Sequence, residues 1–517
     1  MAVAAGLAYF CPLAFSCQHF GFRGPGQDIS AQSRNARLCN LSGHLITNNL
    51  PLTNLEAATN SAPPEAIHLI AVGGSIMHNL ALALHHRGAH VTGSDDEILE
   101  PANGRLAAAG LLPAQEGWDP TRITPGLSAV IVGMHARPDN PELLRAQELG
   151  LKIYSFPEYI YEASRDKQRI VIGGSHGKTS ITACILHVLR YHGRKFDYAV
   201  GAQLAGFDLM VQLTDDAPII IIEGDEYLSS PVDRRPKFHL YQHHIGVISG
   251  ISWDHINVFP TEEIYREQFR IFADMTPKAG VLIYDRDDEQ TQLIAVPTNP
   301  EVTYIGYGPH ENVIRDGRTF LITKKDEEVP VQVFGEHNLR NISAAKEVCK
   351  QLGIKGKDFF KAVATFPGAA RRLELVREGT TSVVYKDFAH APSKLKATAT
   401  ALKKQFPHRR LVACLELHTF SSLNPAFLPQ YAHCFDAPDV AVVYFNPHVL
   451  EHKRLPPLAA NTVAEAFQRP DIKVITDSAE LAAFLRAQEW ANANLLLMSS
   501  GTFDGLDLAG LAAEVVR

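Results

Sequence analysis

Residues 169–192 constrain the fold of this chain more than any other stretch. They read Arg-Ile-Val-Ile-Gly-Gly-Ser-His-Gly-Lys-Thr-Ser, then an apolar run that ends at His192-Gly193. Ile170–Ile172 reads as a short strand. Gly173, Gly174 and Gly177 make a turn, and from Thr179 onward Ile181, Ile185, Val188 and Leu189 recur at helical spacing. Gly193 stands where a left-handed helix cap falls. A strand, a glycine turn and a helix in this order gather backbone N–H groups at a helix N-terminus, where the dipole also favours an anion. Gly174, Ser175, His176, Gly177, Lys178, Thr179 and Ser180 are therefore the candidate phosphate-binding residues. Lys178 can reach outer phosphates, and the Thr179 hydroxyl can ligate Mg²⁺. The pattern is shorter than the general P-loop, whose first glycine would fall on Ile172. A Gly-Lys-Thr between an apolar strand and an amphipathic helix rarely arises by chance, so nucleotide binding is preferred over a plain strand–turn–helix.

A length of 517 residues suggests about three domains. The net charge of −7 speaks against nucleic acid as a partner, which calls for a basic surface. Seven scattered cysteines with no Cys-x-x-Cys pair read as reduced thiols of a cytoplasmic protein, with neither disulfides nor a zinc site. Met1–Cys17 is apolar, but no Lys or Arg precedes Arg23, so it lacks the charged start of a signal peptide and is short for a membrane span. Residues 24–65 are rich in Ser, Asn, Gly and Pro. Residues 1–65 are expected to be a mostly disordered extension, and no membrane segment is expected.

Ile67–Val72, Gly73-Gly74-Ser75, Ile76–Arg87 and His90–Asp95 form a βαβ unit. Asp95 falls about twenty residues past the turn, at a strand end where a ribose hydroxyl is often held; an ordinary turn aspartate is the plain alternative. Val130–Gly133 adds a strand, so residues 66–165 form a small α/β domain. After the glycine-loop helix, the apolar strand Pro218–Ile222 runs into Glu223-Gly224-Asp225-Glu226, where a phosphate-bound magnesium would meet a carboxylate. The strand Ile245–Ile251 delivers Asp254-His255. Short β-type runs at Val281–Tyr284, Val302–Tyr307, Thr319–Thr323 and Val329–Phe334 follow. His337, Asn338 and Asn341 open the next helix. The asparagines suit an adenine edge, with helix capping as the plain reading. Residues 367–372 read as a linker. A third α/β domain has strands at Val383–Tyr385, Leu411–Leu415, Val440–Tyr444, Val474–Thr476 and Leu495–Met498, with Asp387 and His390 in the loop after the first.

These pieces in this order resemble the Mur ligase superfamily, the ATP-dependent amide-forming enzymes of cell-wall peptidoglycan, over about residues 66–517. The resemblance rests on Gly174–Thr179, Glu223–Glu226, Asp254-His255, Glu336-His337-Asn338 with Asn341, Arg371-Arg372-Leu373-Glu374, and Asp387–Pro392. It implies an α/β protein of three domains: a Rossmann-like UDP-sugar domain at 66–165, a central ATP-binding P-loop domain at 166–369, and a C-terminal Rossmann-like domain at 370–517 that brings in the amine. ATP and Mg²⁺ are the implied cofactors, and the oligomeric state has no signal. Lys178, Glu223 and His255 would be catalytic, with Thr179, Glu223 and His255 as metal ligands. His337, Asn338, Asn341, Arg372 and Asp387 would bind ATP. Gly73, Gly74, Ser75 and Asp95 would bind the UDP-sugar, and His390 and His418 would face the amine.

Within the family the resemblance is nearest to the branch that takes UDP-N-acetylmuramate itself. Asp233–Phe238, Arg371–Glu374, Asp387–His390 and Met498–Gly505 favour the tripeptide L-Ala-γ-D-Glu-meso-diaminopimelate as the amine; L-alanine is the alternative. Three positions depart from the family pattern. Ala391 replaces a second histidine, the stretch Leu415–Phe420 lacks an arginine, for which His418 or Lys394 could substitute, and Gln268 stands where some relatives carry a carbamylated lysine. A nucleotide-binding regulator would keep the cradle without the Glu223 and His255 pair. A P-loop kinase would need no third domain, and a folate–glutamate ligase would not need the βαβ unit at 66–95.

Overall fold

Strands made of branched apolar residues throughout need cover on both faces, and a parallel sheet flanked by crossover helices supplies it. The computed structural model describes residues 65–516 except 256–257 and 370–371, so the extension expected over 1–65 lies outside the described residues apart from Glu65. The first sheet has four parallel strands, β1 (Ala66–Ile70), β2 (His90–Ser94), β3 (Ala129–Val132) and β4 (Ile153–Ser155), in the order β2-β1-β3-β4. The chain leaves β1 through Gly73-Gly74 into the helix Ser75–His86. A polar network threads this apolar layer. Glu142 is fully buried and accepts from the Asp119 amide at 2.8 Å and from the Ser94 hydroxyl, with His68 Nε2 at 3.3 Å. Burial alone would raise the Glu142 pKa. The hydrogen bonds from His68, Ser94 and the Asp119 amide outweigh it and hold the carboxyl below its usual value.

The second sheet has seven strands: β5 (Gln168–Gly173), β6 (Asp197–Ala199), β7 (Val211–Gln212), β8 (Ile219–Glu223), β9 (Ile245–Ile248), β10 (Val281–Asp285) and β11 (Thr303–Tyr307). Their order is β11-β10-β9-β5-β8-β6-β7, parallel except for the β6–β7 edge. Ile170, Val171 and Ile172 of β5 are fully buried, as are Ile220, Ile221 and Ile222 of β8. From β5 the chain runs out to β6 and β7, returns to β8 beside β5, and then crosses to β9 on the other side of β5. Such a switch point opens a crevice at the carboxyl ends of the strands. Four β-type runs were expected over 280–334. The first two join this parallel sheet, whereas the other two belong to a separate antiparallel sheet of β12 (Asn312–Arg315), β13 (Arg318–Ile322) and β14 (Glu328–Val331).

The last sheet holds β15 (Glu374–Glu378), β16 (Val383–Asp387), β17 (Arg410–Glu416), β18 (Val440–Tyr444), β19 (Lys473–Ile475) and β20 (Ala493–Met498), in the order β15-β16-β20-β17-β18-β19. It is parallel except for β15, an antiparallel edge strand that follows the expected linker directly. Among the described residues no helix is long and apolar enough to cross a membrane. The four described cysteines, Cys184, Cys349, Cys414 and Cys434, are free.

Candidate active site

The glycine loop leaves the carboxyl end of β5 and enters the helix Lys178–Tyr191, one residue earlier than the sequence suggests. Gly174 and Gly177 have φ of +128° and +74°, a region that favours glycine. A Cβ on Gly174 would lie 2.8 Å from the Ser249 backbone nitrogen, and one on Gly177 would run into the Asn341 side-chain oxygen. The loop is thus pressed between the end of β9 and the helix Glu336–Gln351, and no larger residue fits at either point. Gly177 caps the helix without a side chain, so the first-turn N–H groups have no protein cap.

Lys178 Nζ donates to the Gly174 carbonyl at 2.7 Å and to Glu226 Oε2 at 2.6 Å. Glu226 is 2% exposed. Its other oxygen accepts from Tyr265 OH at 3.1 Å and lies 3.5 Å from His255 Nε2. Tyr265 OH in turn lies 2.8 Å from the Ser175 hydroxyl, which ties this buried acid back to the loop. Burial would raise the Glu226 pKa, but the Lys178 charge and the bond to His255 pull it far below the carboxylate range. Burial would lower His255, and Glu226 together with Asp254 and Asp225 holds it above its ordinary value. His255 also has a φ of +56°, left-handed backbone at a non-glycine position beside the site.

Glu223 and His255, expected to serve one metal, each have a different partner here. Glu223 accepts from the Thr179 hydroxyl at 2.8 Å and from the Gly201 amide at 2.9 Å. His255 pairs instead with Glu226. Ligand atoms of Asp225, Glu226 and His255 lie within 4.8 Å of one another. The donors thus fall into Thr179–Glu223 and Asp225–Glu226–His255. The cause is Glu226, which carries its charge three residues past the strand end into the pocket beneath Lys178, where it attracts the imidazole.

Above the loop lies a cavity of about 380 Å³. It is lined by Ser175–Ser180 and Glu223 of the second sheet's layer and by His337, Asn338 and Asn341 of the helix Glu336–Gln351. Arg372, Asp387, Ser393 and Lys394 line it from the last sheet's layer. Asn338 spends its amide on the Phe334 carbonyl at 2.9 Å. Asp387 accepts from the Leu373 and Ala389 amides at 2.6 and 2.7 Å, and Arg372 sits over the Phe388 ring at 5.1 Å. Burial lowers His176 to about 3 and His337 to about 4, so neither adds charge at neutral pH. His176 Nε2 lies 3.1 Å from the Ser393 hydroxyl, and its Nδ1 is buried without a partner.

Other sequence candidates fall elsewhere. His390 and His418 do not line this cavity. His390 Nδ1 lies 2.9 Å from the Phe388 carbonyl, and His418 Nδ1 lies 3.6 Å from Glu416, at the carboxyl end of β17. Asp95 Oδ2 accepts from the Gly73 amide at 2.7 Å, so this carboxylate closes the first-domain turn beside Gly74 and Ser75. Sequence reasoning passed over the central place of Glu226, the Tyr265 link, and an acidic corner where Arg340 bonds Asp285 and Asp287 at 2.8 and 3.0 Å. The run Asp285-Arg286-Asp287-Asp288 at the end of an apolar stretch was a readable signal for that corner.

The family models agree with this layout along the chain. The Mur ligase family catalytic-domain model matches residues 66–168, the middle-domain model residues 172–349, and the glutamate ligase domain model residues 371–501. The chain belongs to the Mur ligase family. This Mur ligase is 28% identical over 451 residues to the UDP-N-acetylmuramate–L-alanyl-γ-D-glutamyl-meso-2,6-diaminoheptandioate ligase of Haemophilus influenzae, covering 85% of this chain and 97% of that protein. It is 30% identical over 389 residues to the UDP-N-acetylmuramate–L-alanine ligase of Caldicellulosiruptor bescii, covering 72% of this chain and 82% of that protein. The solved murein peptide ligase of Psychrobacter arcticus shares the fold, with a TM-score of 0.57 at 22% identity over 88% of this chain and 99% of that one. The Mur ligases are ATP-dependent enzymes that form amide bonds, and this chain is one of them.

Proposed function

We propose that this enzyme joins UDP-N-acetylmuramate to the tripeptide L-Ala-γ-D-Glu-meso-diaminopimelate, using ATP and Mg²⁺, in the cytoplasm. The observation that carries the reading is one cavity that receives the glycine loop, the strand-end acid Glu223, the asparagine pair, and Arg372 with Asp387 from the last domain. A nucleotide fits these residues. The loop admits no Cβ at Gly174 or Gly177, the helix N-terminus is uncapped, and His176 Nδ1 is a buried nitrogen with no protein partner. Mg²⁺ fits the oxygen donors of Thr179 and Glu223, with Asp225, Glu226 and His255 as a second donor set.

A carboxylate is a poor electrophile, so the lactyl carboxylate must first be activated. One carboxylate oxygen attacks the γ-phosphorus and ADP departs, giving an acyl phosphate. The amine nitrogen then attacks the carbonyl carbon, phosphate leaves with that oxygen, and the amine loses a proton. In this scheme Lys178 and the loop amides hold the outer phosphates in line for attack. Bound Mg²⁺ would neutralise charge that builds on the phosphoryl oxygens. Asn338 and Asn341 hold the base, and Arg372 with Asp387 reaches the nucleotide from the last domain. Gly73, Gly74, Ser75 and Asp95 frame the UDP-sugar end, while His390 and His418 stand toward the amine.

The tripeptide is favoured by the resemblance of Asp233–Phe238, Arg371–Glu374, Asp387–His390 and Met498–Gly505; L-alanine ligases match this chain over similar lengths, which keeps L-alanine as the second reading. Phosphate release with UDP-N-acetylmuramate and ATP, comparing the two amines, separates them. The expected result is a kcat/KM at least about tenfold higher with the tripeptide, a difference of roughly 1.4 kcal/mol. A preference for L-alanine would assign the chain to the second reading.

A further inference from the structure

Four cationic side chains line the cavity: Lys178, Arg340, Arg372 and Lys394. Two are spent within the protein, Lys178 on Glu226 at 2.6 Å and Arg340 on Asp285 and Asp287 at 2.8 and 3.0 Å. Arg372 rests on Phe388. Lys394 is half-buried, and among the described residues its ammonium has neither an ion pair nor a hydrogen bond. A cation drawn out of water without a counter-charge is costly unless a ligand supplies one.

The position of Lys394 identifies that ligand. It lies on the first turn of the helix Pro392–Gln405, whose N-cap residue Ala391 makes no side-chain cap. Its neighbour Ser393 lies 3.1 Å from His176 of the glycine loop, so the start of this helix sits over the start of the helix Lys178–Tyr191. Two helix N-termini from different domains thus open on one cavity, and each carries a lysine. The charged and titratable groups around the Lys394 ammonium are Asp254, Lys178, Arg372, Glu226, His176 and His390. Burial keeps both of those histidines low, at about 3 and about 4, and pulls Lys394 down as well, with Asp254 opposing it, so the cationic groups without a bonded partner among the described residues on this wall are Lys394 and Arg372.

We propose that Lys394 is a nucleotide-binding residue whose ammonium meets the terminal phosphate oxygens of ATP from the last domain, opposite Lys178. The proposal rests on the ATP reading above and extends it, because the polyphosphate then bridges two domains and its arrival favours their closure. A carboxylate of the amine substrate is the competing anion. It is disfavoured because Lys394 shares its cavity with Gly177–Thr179, whereas His390 and His418 do not line it.

The test uses the full chain and measures equilibrium binding of ATP, ADP and adenosine to wild type, Lys394→Ala and Lys394→Arg. Steady-state KM values for ATP and the tripeptide accompany it. Lys394→Ala should weaken ATP by about 10–100-fold, the range of one hydrogen bond to a charged group, leave adenosine unchanged, and leave the tripeptide KM unchanged. Lys394→Arg should recover most of the loss. Unchanged ATP affinity with a raised tripeptide KM would overturn the proposal in favour of the carboxylate. Equal loss of ATP and adenosine would reduce Lys394 to a structural role. Wild type that binds no ATP would remove the ATP reading itself, and this proposal with it.

Discussion

Lys178→Ala should lower phosphate release with UDP-N-acetylmuramate and either amine by about 10³-fold, the scale lost when a fixed charge on a transferring phosphoryl group is removed. Lys178 is the first residue of the helix that faces the cavity, and its ammonium is the cation nearest the loop amides. A bound polyphosphate would compete with Glu226 for it, so the lysine serves two anions in turn. The same substitution also carries a structural cost. Glu226 has a side chain 2% exposed and would lose its 2.6 Å partner, leaving only His255 and Tyr265. Removing one partner of such a pair costs about 3 kcal/mol or more. Because the Glu226 pKa is depressed, the stability it contributes is present above the ordinary glutamate value and fades as pH falls through the folded value. The double variant Lys178→Ala, Glu226→Gln should therefore regain thermal stability without regaining turnover. Near-normal ligation by Lys178→Ala would remove the glycine loop from the mechanism.

His255→Ala should raise the Mg²⁺ concentration that gives half-maximal phosphate release by about 10–100-fold. Three observations support a metal role for this ring. Its backbone is held at a φ of +56°, and its Nε2 lies 3.5 Å from Glu226. It also completes a set of three donors within 4.8 Å, next to Lys178 and Glu223. Gln or Ala at Glu223 should shift the same titration, because Glu223 bonds the Thr179 hydroxyl that faces the cavity. ATP affinity measured without added metal should stay close to wild type in His255→Ala. An unchanged Mg²⁺ titration in that variant would mean that the imidazole serves only to pair with Glu226.

The parts of this molecule that were legible in the sequence are those where one local rule acts alone. Ile170–Ile172 and Ile219–Ile222 are apolar without interruption because both faces of their sheet are covered, and the second run ends on Glu223, which lines the cavity. The glycines at 174 and 177 announced a turn that only glycine can make. The strand β12 was missed although Asp316-Gly317 after it is a strong hairpin signal, and both residues take positive φ. The strand β15 was missed because Glu374–Glu378 is an edge strand with charged residues at three of its five positions, so its hydrophobic pattern is faint. Which carboxylate His255 would meet could not be read at all. Glu223 and Glu226 are equally acidic in sequence, and the choice depends on how deeply the chain buries Glu226 under a lysine 48 positions earlier. In the sequence Lys394 reads only as a stand-in for the missing arginine on the amine side, since only the packing of the last domain over His176 brings it to the cavity.

The central claim is that the phosphoryl group passes to the sugar's carboxylate before the amine arrives. It is tested by carrying out the reaction with UDP-N-acetylmuramate labelled with ¹⁸O in the lactyl carboxylate and weighing the phosphate released. An acyl phosphate transfers one labelled oxygen to each phosphate, and that is the expected result. Phosphate that carries no label would contradict the account.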